Sequence, residues 1–182
     1  ENTVDHLAKK YGKDKEWAES MVQNTAQQAK TVGLDFHFEK AILANSFNAH
    51  RLAHLAKKHQ VGNELEELLF KAYFTDGKDV NDLDTLIELG LKVGLGQEQI
   101  EQVLHSNAYG SEVLADIKMA NEIGVQGVPF FVFFFLYAIS GAQPASSFLQ
   151  TLEKVWEEGK YDTKVTLLNT STENSCDING CD

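Results

Sequence analysis

Between Asp14 and Ile123 apolar residues recur every three or four positions, the period of a helix with one buried face. Asp14 is placed to cap a helix reaching about Val32, with Ala18, Met21, Val22, Thr25 and Ala29 on one side and Gly33 as its stop. A short extended piece, Asp35 to Phe38, follows. From Asn45 or Ser46 the next helix runs to about His59. Its apolar stripe is Ala49, Leu52, Ala53 and Ala56, and Phe47, His50, Arg51, His54 and Lys58 fall roughly opposite. Asn63 starts a helix that ends at Asp76-Gly77, Asp82 one that ends at Gly94, and Gln97 one that ends at Ser106. A longer helix, about Ala108 to Ile123, is expected to bury Val113, Ile117 and Ala120 and to stop at Gly124. Loops this short predict helix packed on helix.

After Gly124 the period changes. Phe130 to Phe133 is a continuous apolar run, expected to be a strand covered on both faces, and Tyr137 to Ser140 is its return strand. Gly141 breaks the second strand. Pro144 suits the first turn of a last helix carrying Phe148, Leu149, Leu152, Val155 and Trp156. Beyond Lys160 the chain reads as a polar, loosely ordered tail.

Composition narrows the classes. The net charge of −11 over 182 residues argues against a nucleic-acid partner, which needs a basic face. No apolar run approaches the roughly 20 residues that span a bilayer, and no signal peptide opens the chain, so no membrane partner is expected. The two cysteines, Cys176 and Cys181, fall in the last seven residues, which leaves the expected core without a thiol. That suits a reducing compartment, and a cytoplasmic location is the expectation.

Four stretches could carry chemistry. Pro129 opens a strand, where its missing N–H does no harm. Val128-Pro129 is either an ordinary strand-initiating pair or a cis peptide that turns the Val128 N–H and C=O outward. Phe134-Phe135-Leu136 stands where a tight hairpin needs Asn, Asp or Gly to reach positive φ. These residues mark a partner contact, a longer strand with a displaced turn, or an irregularity in the sequence itself, and they would expose an apolar patch. Cys176 and Cys181 flank Asn179-Gly180, a turn that would let the thiols meet as a secondary redox pair; an inert tail is the other reading. His50 and His54 have the i, i+4 spacing of a zinc pair, but no third ligand accompanies them, so no metal is expected. The acidic run Glu64, Glu66 and Glu67 reads as solvated helix surface.

Gly127-Val128-Pro129-Phe130-Phe131-Val132 followed by Tyr137 to Pro144, Ala44 to Leu52, and Leu69 to Asp79 together resemble DsbA-family thioredoxin-like oxidoreductases. Within them the chain is most similar to the FrnE-like group of predicted dithiol–disulfide isomerases. The resemblance covers roughly residues 1–158. It implies an α/β, thioredoxin-like (DsbA-type) sheet with a large helical insertion. Its divisions would be a helical segment 1–33, the insertion 34–125, a β-hairpin and helix 126–160, and a polar tail 161–182. Val128 and Pro129 would form the cis-proline loop that holds substrate peptide, and Asn45, Phe47, His50 and Arg51 would line a cleft beside it. For the first of these the other reading is helix capping, and for the set a solvated polar face.

The resemblance further implies protein thiols and disulfides, or a small thiol such as glutathione, as partners, with no cofactor and a possible homodimer. A Cys-x-x-Cys motif does not occur in these residues, whereas the family places one at a helix N-terminus, where the dipole favours the thiolate. The expectation is therefore a chain that is mostly helical because the first strand and active-site helix lie upstream of Glu1. Along with them would lie the hairpin's natural neighbour, and the chain as it stands would be inactive. Two other classes compete: a glutathione-dependent transferase or isomerase on the same fold, with Asn45 and Arg51 on an anionic substrate, and a non-enzymatic helical module that docks a partner through Phe134-Phe135-Leu136.

Overall fold

The computed structural model describes residues 2–158 and 166–167. It divides into two compact units, one ending at Ala115 and one beginning at Asp116. The boundary thus falls inside a helix.

The first unit is helical. α1 (Thr3–Tyr11) is capped by Asn2, whose side chain accepts from the Asp5 N–H, and it ends at Gly12 in the left-handed region (φ 64). α2 (Lys15–Thr31) begins where the aspartate was expected to cap: the Asp14 carboxylate accepts from the Trp17 N–H at 2.8 Å. The 34–40 segment forms no strand. It is held as a loop by the His37 N–H donating to the Phe74 carbonyl at 2.7 Å and by Phe36 stacked on Phe74. α3 (Phe47–Lys58) packs against α4 (Gly62–Phe70), α5 (Leu83–Lys92) and α6 (Gln97–Leu104). Leu52, Leu65, Leu86 and Ile100 are the large side chains fully buried among them. Gly90 permits the α5–α6 approach, since a Cβ there would come within 2.8 Å of Ile100 Cδ1. α4 continues into a π-helical turn, Lys71–Thr75.

α7 (Gly110–Glu122) crosses the boundary between the units. Val113 on it is buried as expected and Ala120 is half-buried, but Ile117 between them is 49% exposed, so the apolar stripe predicted for this helix is covered only in part.

In the second unit β1 (Phe130–Phe133) pairs antiparallel with β2 (Tyr137–Ser140), and α8 (Ala145–Glu158) packs against both. The strand expected to be covered on both faces is the wrong one of the pair. β1 is half-exposed, with Phe131 at 38%, whereas Tyr137, Ala138 and Ile139 of β2 are buried. The reason is topological: the sheet order is β1-β2-β3, so β2 lies in the middle. β3 (Thr166–Leu167) runs parallel to β2, with Tyr137 opposite Thr166. A neighbour for the hairpin on the β2 side thus comes from the segment expected to be polar tail.

At the hairpin tip the backbone takes the conformation its residues suit least. Phe134 and Phe135 have φ of 52° and 57°, and the Leu136 N–H closes the turn on the Phe133 carbonyl at 2.9 Å. Leu136 turns inward to pack with Tyr137 and Val155, while Phe134 and Phe135 are more than half exposed.

One surface cluster sets an acid response. The Lys78 ammonium, 2.7 Å away, and the Lys92 ammonium one turn along α5 both donate to Glu88, and hold its carboxyl down to about 2 from an ordinary 4.5. A lowered folded value means that the stabilisation is complete above the unfolded value near 4.5 and is lost as pH falls toward 2. Glu88→Gln is therefore expected to flatten the fall in melting temperature across that window and to leave the neutral-pH side of the curve parallel to wild type. Identical acid limbs in thermal melts would show that the clasp contributes nothing.

Candidate functional site

The loop before β1 is built by a sharp stop. α7 ends with Gly124 in the left-handed region (φ 82), and the Val125 N–H returns to the Ala120 carbonyl at 2.9 Å. Residues 125–129 then lead into the sheet, with Val128-Pro129 in cis. The Pro129 carbonyl accepts from the Gly141 N–H at 2.8 Å, tying the loop to the far end of the hairpin. Val128 is 89% exposed, and its own N–H and C=O have no partner among the described residues. The arrangement presents one free donor and one free acceptor beside the outer edge of β1, which is what an extended peptide needs in order to add to a sheet.

Beneath the hairpin, the Tyr137 hydroxyl donates to the Glu158 carboxylate, and the Lys154 ammonium sits 4.7 Å from the ring centroid. That hydrogen bond, with burial and the carboxylate's charge, pushes the phenol above its usual range. The group clamps α8 to β2 and stays protonated at neutral pH.

The four cleft candidates separate. The Asn45 side chain accepts from the Phe47 N–H at 2.9 Å, so it starts α3 and leaves the Ser46 hydroxyl without a capping bond. Phe47 is half-buried. Arg51 does not lie on a solvated face: it is 5% exposed, and its guanidinium donates to the Ala108 carbonyl at 2.8 Å, to Asn48 Oδ1 at 2.9 Å, and to the Val103 and Ser106 carbonyls. All of these acceptors belong to α3 itself or to the end of α6 and the loop after it, so Arg51 is spent on holding the helices together and is not available to an anionic substrate. Only His50 remains at an opening. With Ser46 and Ala49 it lines a groove of about 550 Å³ whose other wall is Phe70, Tyr73 and Phe74 of α4 and the π-helical turn.

That second wall was not among the sequence candidates. A signal was there to find: Phe70, Tyr73 and Phe74 have i, i+3, i+4 spacing and lie in a stretch notable only for its resemblance. His54, the other half of the expected zinc spacing, stacks with Tyr109 at 6.2 Å between centroids. Among the described residues no group of three or more His, Cys, Asp or Glu side chains is placed to hold a metal ion. Nor among them is any helix long and apolar enough to cross a membrane. Cys176 and Cys181 lie outside the described residues.

Comparison with known proteins converges on one family. Residues 5–153 match the model of the DSBA-like thioredoxin domain. The crystal structure of a probable DsbA oxidoreductase from Streptomyces coelicolor is similar to this chain with a TM-score of 0.80 and 35% identity, over 100% of this chain and 76% of that one. The uncharacterized protein YwbO of Bacillus subtilis (strain 168) is 29% identical over 80 residues, which are 43% of this chain and 40% of that protein. The match thus spans about two fifths of the length of that curated relative.

Proposed function

The chain belongs to the DSBA-like thioredoxin family and has its fold, and from that premise we propose that it acts as a thiol–disulfide oxidoreductase or isomerase on protein disulfides, with Val128 and Pro129 docking the substrate backbone. One observation carries the reading: Val128, beside a strand edge, is almost wholly exposed and keeps both of its backbone hydrogen-bonding groups unused. A substrate strand laid along β1 would pair with them, and main-chain pairing tolerates any side-chain sequence. Within the family we read the chain as FrnE-like, a reading that the resemblance of its three motifs supports.

The chemistry proposed is thiol exchange. A thiolate attacks one sulfur of the substrate disulfide, and the other sulfur leaves as a thiolate. A second thiol then attacks the resulting mixed disulfide and releases the reduced substrate. The sequence itself carries two thiols, Cys176 and Cys181. Docking at Val128 is the same whichever dithiol reacts.

The test uses a labelled extended peptide with a blocked cysteine, titrated into the protein and into Val128→Pro. The substitution deletes the N–H and removes the side chain of a residue that is 89% exposed. One net hydrogen bond predicts an affinity loss of roughly threefold to tenfold. Equal affinities, or no binding by wild type, would overturn the docking role. Competition by glutathione at the same site would move the reading to the glutathione-dependent class, and rescue of a scrambled-disulfide substrate would select isomerase over simple oxidant.

A further inference from the structure

The groove in the helical unit is a separate feature, and its chemistry is unequal. Ala49 and Ala53 on α3 supply small side chains where larger ones would fill the space, and Phe70, Tyr73 and Phe74 supply an aromatic wall. Tyr73 and Phe74 meet edge to face at 4.9 Å, and Phe74 is itself backed by Phe36 stacked at 4.5 Å, so the wall is braced from behind. Phe74 and Tyr73 reach the groove from a π-helical turn, a local irregularity that frequently accompanies binding sites. The volume of about 550 Å³ lies in the range of small-molecule pockets.

Three polar groups edge this apolar space, and none is used elsewhere. The Glu66 carboxylate, the His50 imidazole and the Ser46 hydroxyl all line the groove, and no side-chain hydrogen bond or ion pair engages them among the described residues. The one full charge is negative, in a chain whose net charge is −11. A cation is favoured twice here, by the carboxylate and by the aromatic faces. We propose that this groove binds an amphiphilic amine: an aromatic or aliphatic body seated between the alanines and the aromatic wall, with its ammonium on Glu66 and a further hydrogen bond to His50 or Ser46. The site acts independently of the peptide edge at Val128, and either can fail without the other.

The experiment titrates the full chain, near neutral pH, with 1-naphthylmethylamine and with its neutral and anionic counterparts, 1-naphthalenemethanol and 1-naphthoate, by calorimetry or probe fluorescence. The amine is expected to bind about tenfold more tightly than the carboxylate, with the alcohol between them. Glu66→Gln, an exposed change that leaves the core intact, is expected to cut that preference by at least about threefold while the alcohol binds as before. Ala53→Phe is expected to abolish binding of all three by filling the groove. Equal affinity for amine and carboxylate, an unchanged preference in Glu66→Gln, or full binding by Ala53→Phe would each overturn the proposal.

Discussion

Replacing Arg51 with methionine is expected to destabilise the helical unit by about 3–5 kcal/mol. Methionine keeps most of the volume and removes every donor. The backbone carbonyls of Ser106 and Ala108 would lose the guanidinium, and that of Val103 would be left with the Ser106 N–H at 3.4 Å, at a site where the arginine is only 5% exposed. Each buried acceptor left unsatisfied costs about 1–3 kcal/mol. The positive charge itself is tolerated because these carbonyls close the C-terminal end of α6, where the helix dipole favours a cation. No carboxylate pairs with it among the described residues. Arg51→Lys should recover only part of the loss, since one ammonium cannot span acceptors that the planar guanidinium reaches from three nitrogens. Denaturant unfolding of the three proteins measures the order. A loss below about 1 kcal/mol for Arg51→Met would mean that water replaces the guanidinium and that the site is less closed than its burial indicates.

The second large effect has the opposite sign. Phe134→Asn with Phe135→Gly is expected to stabilise the chain by about 2 kcal/mol, a rise in melting temperature of roughly 4–8 °C. Both phenylalanines occupy the left-handed region, which costs an ordinary residue about 1–2 kcal/mol, and Asn-Gly is the pair that two successive positive φ values favour. The rings are more than half exposed, so the area they do bury is set against the strain of two left-handed residues. A neutral or destabilising result would mean that the rings make contacts worth as much as the strain, and would favour the reading of this tip as a docking element. Thermal melts read it directly, and a concentration series on wild type and the double variant separates self-association from intrinsic stability.

Much of this protein is legible one segment at a time. Asp14 and Asp82 cap helices where a short acidic side chain precedes an apolar period, because the carboxylate and the N–H it accepts from are three residues apart. The strands fall at Phe130–Phe133 and Tyr137–Ser140, bounded by a proline and a glycine whose backbone chemistry acts locally. What failed to be legible depends on partners distant in the chain. Arg51 looks like surface on its own helix, and becomes core only because Ala108, 57 residues away, brings its carbonyl down onto the guanidinium.

The same holds for β1 and β2. β1 is the more apolar of the two, yet β2 is the buried one, because a third strand pairs with its side of the hairpin and not with the other. The groove follows the same rule, since His50 and Glu66 belong to separate helices and share an opening only once α3 and α4 have packed. Periodicity, caps and turn residues are interactions over three or four positions, so the sequence by itself determined where the elements begin and end. Burial, hydrogen-bond satisfaction of long side chains and the walls of a site are sums over neighbours from far along the chain, and only the tertiary structure decided those.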